Sequence, residues 1–484
     1  MPTPRRLPLA VLLLLSMAAA RGGTSVAFAQ DETPEVAPPQ ETPADDGPAD
    51  DRPADDGPAD DAEVSTDGPA GDDAASADEA DYYELMRVFA DAFEQVDRNY
   101  VKEIDRRRLV EGAVRGMLNE LDPYSNYIAP DELAGFSEDI NQTFGGIGVQ
   151  VEYDPQLKAL EIVAPLPGSP AFEVGLLAGD KIVKVNGELL SSFAPGREQM
   201  EAVQRLKGPA GEQVEVGVVR AGEDGIKDYT VTRRVIELPT VFGASRDAGG
   251  EWSYRLPGHP EIGYLRVSHF TGRTAGEVRD AVKTARKGGA EKLILDLRFN
   301  PGGLLTSAVE IVDLFLEEGK IVSTEGRNSR PREWSARKFG TVPALPMVVL
   351  INRYSASASE ITAAALQDQR RATVIGERSW GKGSVQNVIN VEDGQSALKL
   401  TTASYYRPSG KNIHRFAGAK DEDEWGVTPD EGMLIQLTNE QMQALQQHQR
   451  DIYMTRPADE SYSDPHLEKA IEVLAAPAEM KDAA

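Results

Sequence analysis

The sequence predicts a multidomain α/β protein: a helical N-terminal segment, a small β domain, a larger block of alternating strands and helices, and a helical C-terminal segment. Three observations predict it. The 484 residues are long enough for two or three domains. The hydrophobic period shifts from helical to two near Asn141. From about Val241, continuous apolar runs alternate with amphipathic stretches, as in a sheet covered by helices on its faces.

The first 29 residues read as an export signal. Arg5 and Arg6 precede the apolar run Leu7 to Ala20, and Ala27-Phe28-Ala29 forms a small-residue cleavage site. The alternative is an uncleaved membrane anchor, but the 14-residue run falls short of the roughly 20 needed to span a bilayer. Either reading places the protein outside the cytoplasm, in the periplasm or cell envelope, membrane-associated if the segment is retained. Residues 30–80 follow as an acidic tether. The segment from Asp31 to Ala80 contains 18 acidic residues and one arginine, and "PADDGPADDRPADDGPADD" repeats every five residues. Proline, paired aspartates and scarce apolar side chains predict disorder there.

Residues 81–140 carry two helical patterns. Leu85, Val88, Phe89, Phe93 and Val96 share one face of the first, and "RRLVEGAVRGMLNEL" ending at "DPYSNY" forms the second. In residues 141–236, "GGIGVQVEYD", "LEIVAPL", "DKIVKV" and "EQVEVGVV" read as strands, with "SPAFEVGL" and "REQMEAVQRLKG" as helices. In residues 237–430, "GYLRVSHF", "KLILDLRFN" and "PMVVLIN" read as strands and "TAGEVRDAVKTARKG" and "LLTSAVEIVDLFLEEG" as helices. Residues 431–484 read as helical and polar.

Composition excludes several kinds of chemistry. The net charge of -28, with no offsetting basic patch, argues against nucleic-acid binding. The absence of cysteine removes disulfides, thiolate metal sites, cysteine nucleophiles and a lipidated cysteine at the signal junction. No metal-ligand cluster appears, and no cofactor is expected.

Three stretches could carry chemistry. "NRYSASASE" places serines at alternate positions before a helix. Ser357-x-x-Glu360 has the form of a capping box; the same geometry would present a serine nucleophile beside the positive end of the helix. "GERSWGKGSVQ" sets Lys382 between two glycines and Gln386 four residues on. A lysine serves as base toward serine only when neutral, which needs burial or a nearby positive charge. "DLRFNPGGLL" puts Gly302 and Gly303 at a strand-to-helix turn, where backbone N–H groups could meet a substrate carbonyl. Each stretch also has a purely structural reading. Together they supply nucleophile, base, orienter and oxyanion donors at strand–helix junctions of one sheet.

From about Phe93 to Thr428 the chain resembles the carboxyl-terminal processing proteases, or tail-specific proteases, of the S41 serine peptidase family. The likeness rests on "INRYSASASEI", "GERSWGKGSVQ", "FEQVDRNYV", "GMLNELDPYS", "LDLRFNPGG", "YYRPSGKNIH" and "GVTPD". It departs at Tyr124, where the family usually has histidine, and at Trp380, usually phenylalanine. The resemblance implies a crotonase/ClpP-like β-β-α protease core, with Ser357 as nucleophile, Lys382 as general base and Gln386 supporting the lysine. It puts the oxyanion hole on the N–H groups of Gly303 and Ala358. It identifies residues 141–236 as a PDZ domain whose carboxylate-binding loop comprises Gly145, Gly146, Ile147 and Gly148. The implied substrates are proteins held by apolar C-terminal tails, and a homo-oligomer and an adaptor protein are the further partners it suggests. A PDZ scaffold with a vestigial site and a crotonase-like acyl-CoA enzyme are the rival readings; the first would lack Ser357 or Lys382, and the second needs neither the PDZ domain nor the Lys382–Gln386 pair.

Overall fold

The computed structural model describes residues 72–247, 250–454 and 462–476. The expected export signal and most of the expected acidic tether lie outside the described residues. Within them, no helix is long and apolar enough to cross a membrane.

Two compact units are distinguished, with the boundary at Met117–Leu118. The described part of the first is helical: α1 (Asp72–Asn99), which begins ahead of the expected Asp81, and most of α2 (Arg106–Asn119). Arg106 pairs bidentately with Asp97 across the connection. Leu85, Val88, Phe89 and Val96 of the expected apolar stripe are exposed, and Phe93 is half-buried.

The second unit opens with strand Asn126–Ile128 and α3 (Pro130–Asn141). An antiparallel sheet follows, in the order Val149–Asp154, Ala159–Pro165, Lys181–Val185, Gln213–Val219, Lys227–Thr232. It is accompanied by α4 (Pro170–Glu173) and α5 (Glu198–Leu206). Side chains alternate across each strand, so Leu160, Ile162, Ile182, Val185, Val214, Val216, Val218 and Val231 enter one core with Ile147 and Leu176. Burial of each such side chain contributes about 1.5–3 kcal/mol. Strand Val149–Asp154 lies at the edge of this sheet.

The larger block is built on parallel strands His259–Val267, Lys292–Asp296, Met347–Ile351 and Thr373–Gly376, adjacent in that order. The crossovers contain α6 (Thr274–Lys287), α7 (Leu305–Asp313) and α8 (Ala358–Asp368). Successive residues face opposite sides, which is why the central stretches of these strands carry consecutive apolar residues. Leu293, Leu295, Val349 and Ile351 pack with the three helices. Ile294, Val348, Leu350 and Ile375 face a second cluster containing Ala470 and Leu474.

That second face is a departure from expectation. The C-terminal stretch reads as polar, yet α9 (Asn439–Tyr453) and α10 (Pro465–Ala475) both bury apolar residues, and α10 covers the sheet. Asp464 caps α10 by accepting from the N–H groups of His466 and Leu467. Its carboxylate also takes two hydrogen bonds from Arg298, at 2.8 and 2.9 Å. Arg298, itself buried, pairs with Asp296 as well, and Tyr264 donates to Asp296. A second, antiparallel sheet runs Asn126–Ile128, Ser396–Tyr406, Lys320–Gly326, Ser329–Ser335, with Ser384–Val391 also paired to Ser396–Tyr406.

Candidate active site

The three alternating serines leave strand Met347–Ile351 and enter α8, and their hydroxyls have different tasks. Ser355 donates to the Leu297 carbonyl and Ser359 to the Asn300 carbonyl, each at 2.9 Å. Both therefore tie this turn to the loop after strand Lys292–Asp296. The middle hydroxyl, on Ser357, makes no such tie and does not cap the helix. Ser357 sits at φ 56°, ψ -115°, a region costly for a residue with a Cβ, at about 1–3 kcal/mol. The strain is sustained by the bonds on either side.

The capping-box reading is half realised. Glu360 reaches back to accept the Ser357 N–H at 2.8 Å. The same oxygen accepts the Lys382 N–H at 2.9 Å, while its partner oxygen accepts from the Gly381 N–H and Ser379 Oγ. One buried carboxylate thus holds together the backbones of Ser357 and Lys382, which belong to loops remote in sequence. Burial pushes the Glu360 carboxyl up, and the four donors oppose this.

Gly302 and Gly303 complete the turn's surroundings. Asn300 orders their loop: its side-chain oxygen accepts the Gly302 N–H, its amide donates to Val267, and its own carbonyl accepts the Ala356 N–H. Gly303 has φ 145°, and a Cβ there would lie 2.1 Å from the Phe270 carbonyl oxygen, so glycine is required. Among the described residues, neither the Gly303 nor the Ala358 N–H is taken up by a backbone acceptor outside the regular elements.

Lys382 is 1% exposed, and Ser357 and Gln386 are fully buried. Burial depresses the Lys382 ammonium well below the usual lysine range, the charge of Lys399 depresses it further, and Glu360 and Asp122 oppose the shift. Burial brings Lys399 itself down to about 8. The Lys382 carbonyl accepts from the Tyr405 hydroxyl. Gln386 donates to Ser384 Oγ and Thr401 Oγ1, at 2.9 and 3.2 Å, leaving its amide oxygen as a buried acceptor. Tyr124, the departure from the family pattern, lies at this site: Lys382 Nζ is 5.2 Å from the centre of its ring. Trp380, the other departure, donates its backbone N–H to the Ser355 carbonyl. Sequence reasoning did not find Glu360 as a bridge, nor Lys399, Tyr405 and Ser379. Only the Ser-x-x-Glu spacing signalled Glu360.

In the antiparallel domain, Gly146, Ile147 and Gly148 line a groove between the edge strand Val149–Asp154 and α5. Gly145 does not line it; it pairs within strand Thr143–Gly146, and its carbonyl accepts the Gly208 N–H. Gly148 adopts φ 75°, where a Cβ would meet the Ser169 side chain at 2.4 Å. Val203, Leu206 and Leu166 make the groove apolar.

Comparison with known proteins agrees with this anatomy. The family model described as "Peptidase family S41" matches residues 261–433, "PDZ domain" matches 161–220, and "Activating protease CtpB N-terminal domain" matches 59–132. The chain is 39% identical over 357 residues to the carboxy-terminal-processing protease of Bartonella bacilliformis, covering 73% of this chain and 76% of that protein. It is 36% identical over 347 residues to the carboxy-terminal processing protease CtpA of Bacillus subtilis, covering 71% and 69%. A third relative, CtpB of Bacillus subtilis, is 31% identical over 393 residues, covering 78% of each chain. A PDZ domain, a serine-bearing α/β core and relatives matched over most of their length lead to one conclusion: the chain belongs to the carboxy-terminal processing serine proteases of peptidase family S41.

Proposed function

We propose that this protein is an exported endopeptidase that captures protein tails through its PDZ domain and cleaves them with a Ser357–Lys382 dyad. The observation that carries the dyad is the division of labour among the serines: two hydroxyls are bonded to the Leu297 and Asn300 carbonyls, and the one between them is not. In the proposed reaction Ser357 Oγ bonds to the scissile carbonyl carbon as its proton passes to Lys382 Nζ. The Gly303 and Ala358 N–H groups hold the resulting oxyanion. Collapse breaks the C–N bond, with the lysine proton going to the departing amine. Water, deprotonated by the neutral lysine, then bonds to the acyl carbon, the ester C–O bond breaks, and the lysine proton returns to Ser357 Oγ. The buried Gln386 amide oxygen, without a hydrogen-bond partner among the described residues, is the acceptor that would orient the lysine amine in this reaction.

Burial and the neighbouring Lys399 supply the two influences that make lysine a base. Protein substrates follow from the family and the PDZ domain; the apolar groove favours apolar tails, whose terminal carboxylate would meet the Ile147 and Gly148 N–H groups. The basic, apolar start of the sequence supports export, and envelope proteins are then the substrates within reach.

The test is cleavage of an unfolded protein with an apolar C-terminal tail. Ser357→Ala and Lys382→Ala should each lower turnover at least about 1,000-fold without changing the thermal midpoint by more than a few degrees. Wild-type turnover in either folded variant overturns the dyad.

A further inference from the structure

The tail-binding groove contains a residue from far outside its own domain. Met454, at the end of α9, lines it beside Gly146, Ile147, Gly148, Val149 and Leu206. Its side chain is almost completely buried, and the Gln150 side-chain amide of the edge strand contacts its sulfur. The preceding residue fixes its approach: the Tyr453 ring packs edge-on against Phe242, with centres 5.5 Å apart. Further along α9, Met442 and Leu445 pack with Leu437, so Met454 ends a helix that is itself docked.

We propose that Met454 is an intramolecular occupant of the tail-binding groove, which an incoming apolar tail must displace. This rests on the tail-capture reading above and adds a competitor to it. The groove offers two things to a tail. One is an apolar slot formed by Ile147, Val203 and Leu206. The other is the pair of Ile147 and Gly148 N–H groups, which among the described residues have no backbone acceptor outside the regular elements. Met454 lines the groove at the first, its sulfur against Gln150 of the edge strand, and, lacking a carboxylate, leaves the second unanswered. An unbranched thioether adapts to an irregular slot at modest cost. A carboxylate held by backbone donors makes stronger, charge-assisted bonds. The groove is therefore covered when idle, and yields to a ligand carrying both an apolar side chain and a terminal carboxylate.

The size of the effect follows from the fraction of molecules with an open groove, since apparent affinity falls in proportion to it. The experiment uses the full chain carrying Ser357→Ala, so that ligand is bound and not cut. The probe is a fluorescein-labelled ten-residue peptide ending in Leu-Ala-Ala with a free carboxylate; its C-terminally amidated twin serves as control. Adding Met454→Ala should tighten binding of the free-carboxylate peptide about tenfold, with the amidated twin remaining weak. Unchanged or weaker binding overturns the proposal, because Met454 is then a bystander or part of the binding wall. Failure of both proteins to prefer the free carboxylate overturns the tail-capture reading itself, a different result. Should Met454→Ala unfold the protein, the methyl resonance of 13C-methyl-methionine at Met454 decides the matter in the Ser357→Ala protein. Saturating peptide should move it to a solvent-exposed shift, and an unmoved resonance overturns the proposal.

Discussion

Replacing Glu360 with glutamine tests the organisation of the site at its centre. The carboxylate accepts four hydrogen bonds, two at each oxygen, from Ser357, Lys382, Gly381 and Ser379. An amide retains one oxygen and presents an NH2 group where the other stood. With the oxygen kept toward Ser379 and Gly381, two N–H donors, those of Ser357 and Lys382, face a third donor. Hydrogen bonds to a charged group contribute about 1.5–3 kcal/mol each, so the lost interactions amount to about 3–6 kcal/mol. Removing a buried charge returns several kcal/mol of desolvation, and the net loss of stability is about 1–3 kcal/mol. The rate responds more strongly, because the two backbones so joined carry Ser357 and Lys382; a displacement of about 1 Å costs about 100-fold. Steady-state cleavage of an unfolded apolar-tailed substrate should show kcat down about 100-fold with KM within about threefold, since the groove lies in another domain. Losing the negative charge also lowers the Lys382 pKa, so the acid limb of the surviving activity moves to lower pH. Glu360→Asp keeps the charge but is one methylene too short for all four donors, and should lose kcat similarly without the downward shift. A Gln variant with kcat within threefold of wild type would refute the bridging role.

The remaining predictions concern charge and strain. Activity as kcat/KM should rise with pH through the depressed pKa of Lys382; Lys399→Met removes a like charge, raises that pKa, and should move the limb upward, as pH–rate profiles would show. Arg298→Met strands the buried Asp296 and Asp464 carboxylates and should destabilise the fold by about 3–5 kcal/mol in denaturant titrations. In the wild type, burial pushes Asp464 up but Arg298 and its other partners hold it below the ordinary value of 3.8. Its contribution to stability is therefore complete above that value and is lost as pH falls through the lower folded value, which acid titration of unfolding can follow. Both Ser357→Gly and Ser357→Ala should be inactive, but Gly relieves the positive φ and should be about 1 kcal/mol more stable than Ala, measured by thermal unfolding; equal stability contradicts the strain.

The parallel sheet was legible because strands buried on both faces carry consecutive apolar residues, as "LIL" within Lys292–Asp296 and "MVVLI" do. The antiparallel domain was legible through its period of two. Ser357, Lys382 and Gln386 stood out through local motifs that each also had a structural reading, and only their combination pointed to one site. The rest depends on meetings through space. Glu360 has a local explanation, as a cap, and nothing near it in sequence announces donors at Ser379, Gly381 and Lys382. Lys399 looks like an ordinary strand lysine until its neighbours are assembled. The C-terminal segment misled because its charged outer face dominates the composition, while Ala470 and Leu474 on the inner face suffice to close the sheet.

The chain crosses from one sheet to the other at the Gly381–Lys382–Gly383 turn. Ser357 follows a strand of the parallel sheet, whereas Gln386 and Lys399 lie on strands of the antiparallel one. The hydroxyl and the groups that condition the amine therefore ride on separate plates, clasped at Glu360. A displacement of one plate against the other would shift the Ser357 hydroxyl relative to the Lys382 amine while both side chains stayed chemically intact.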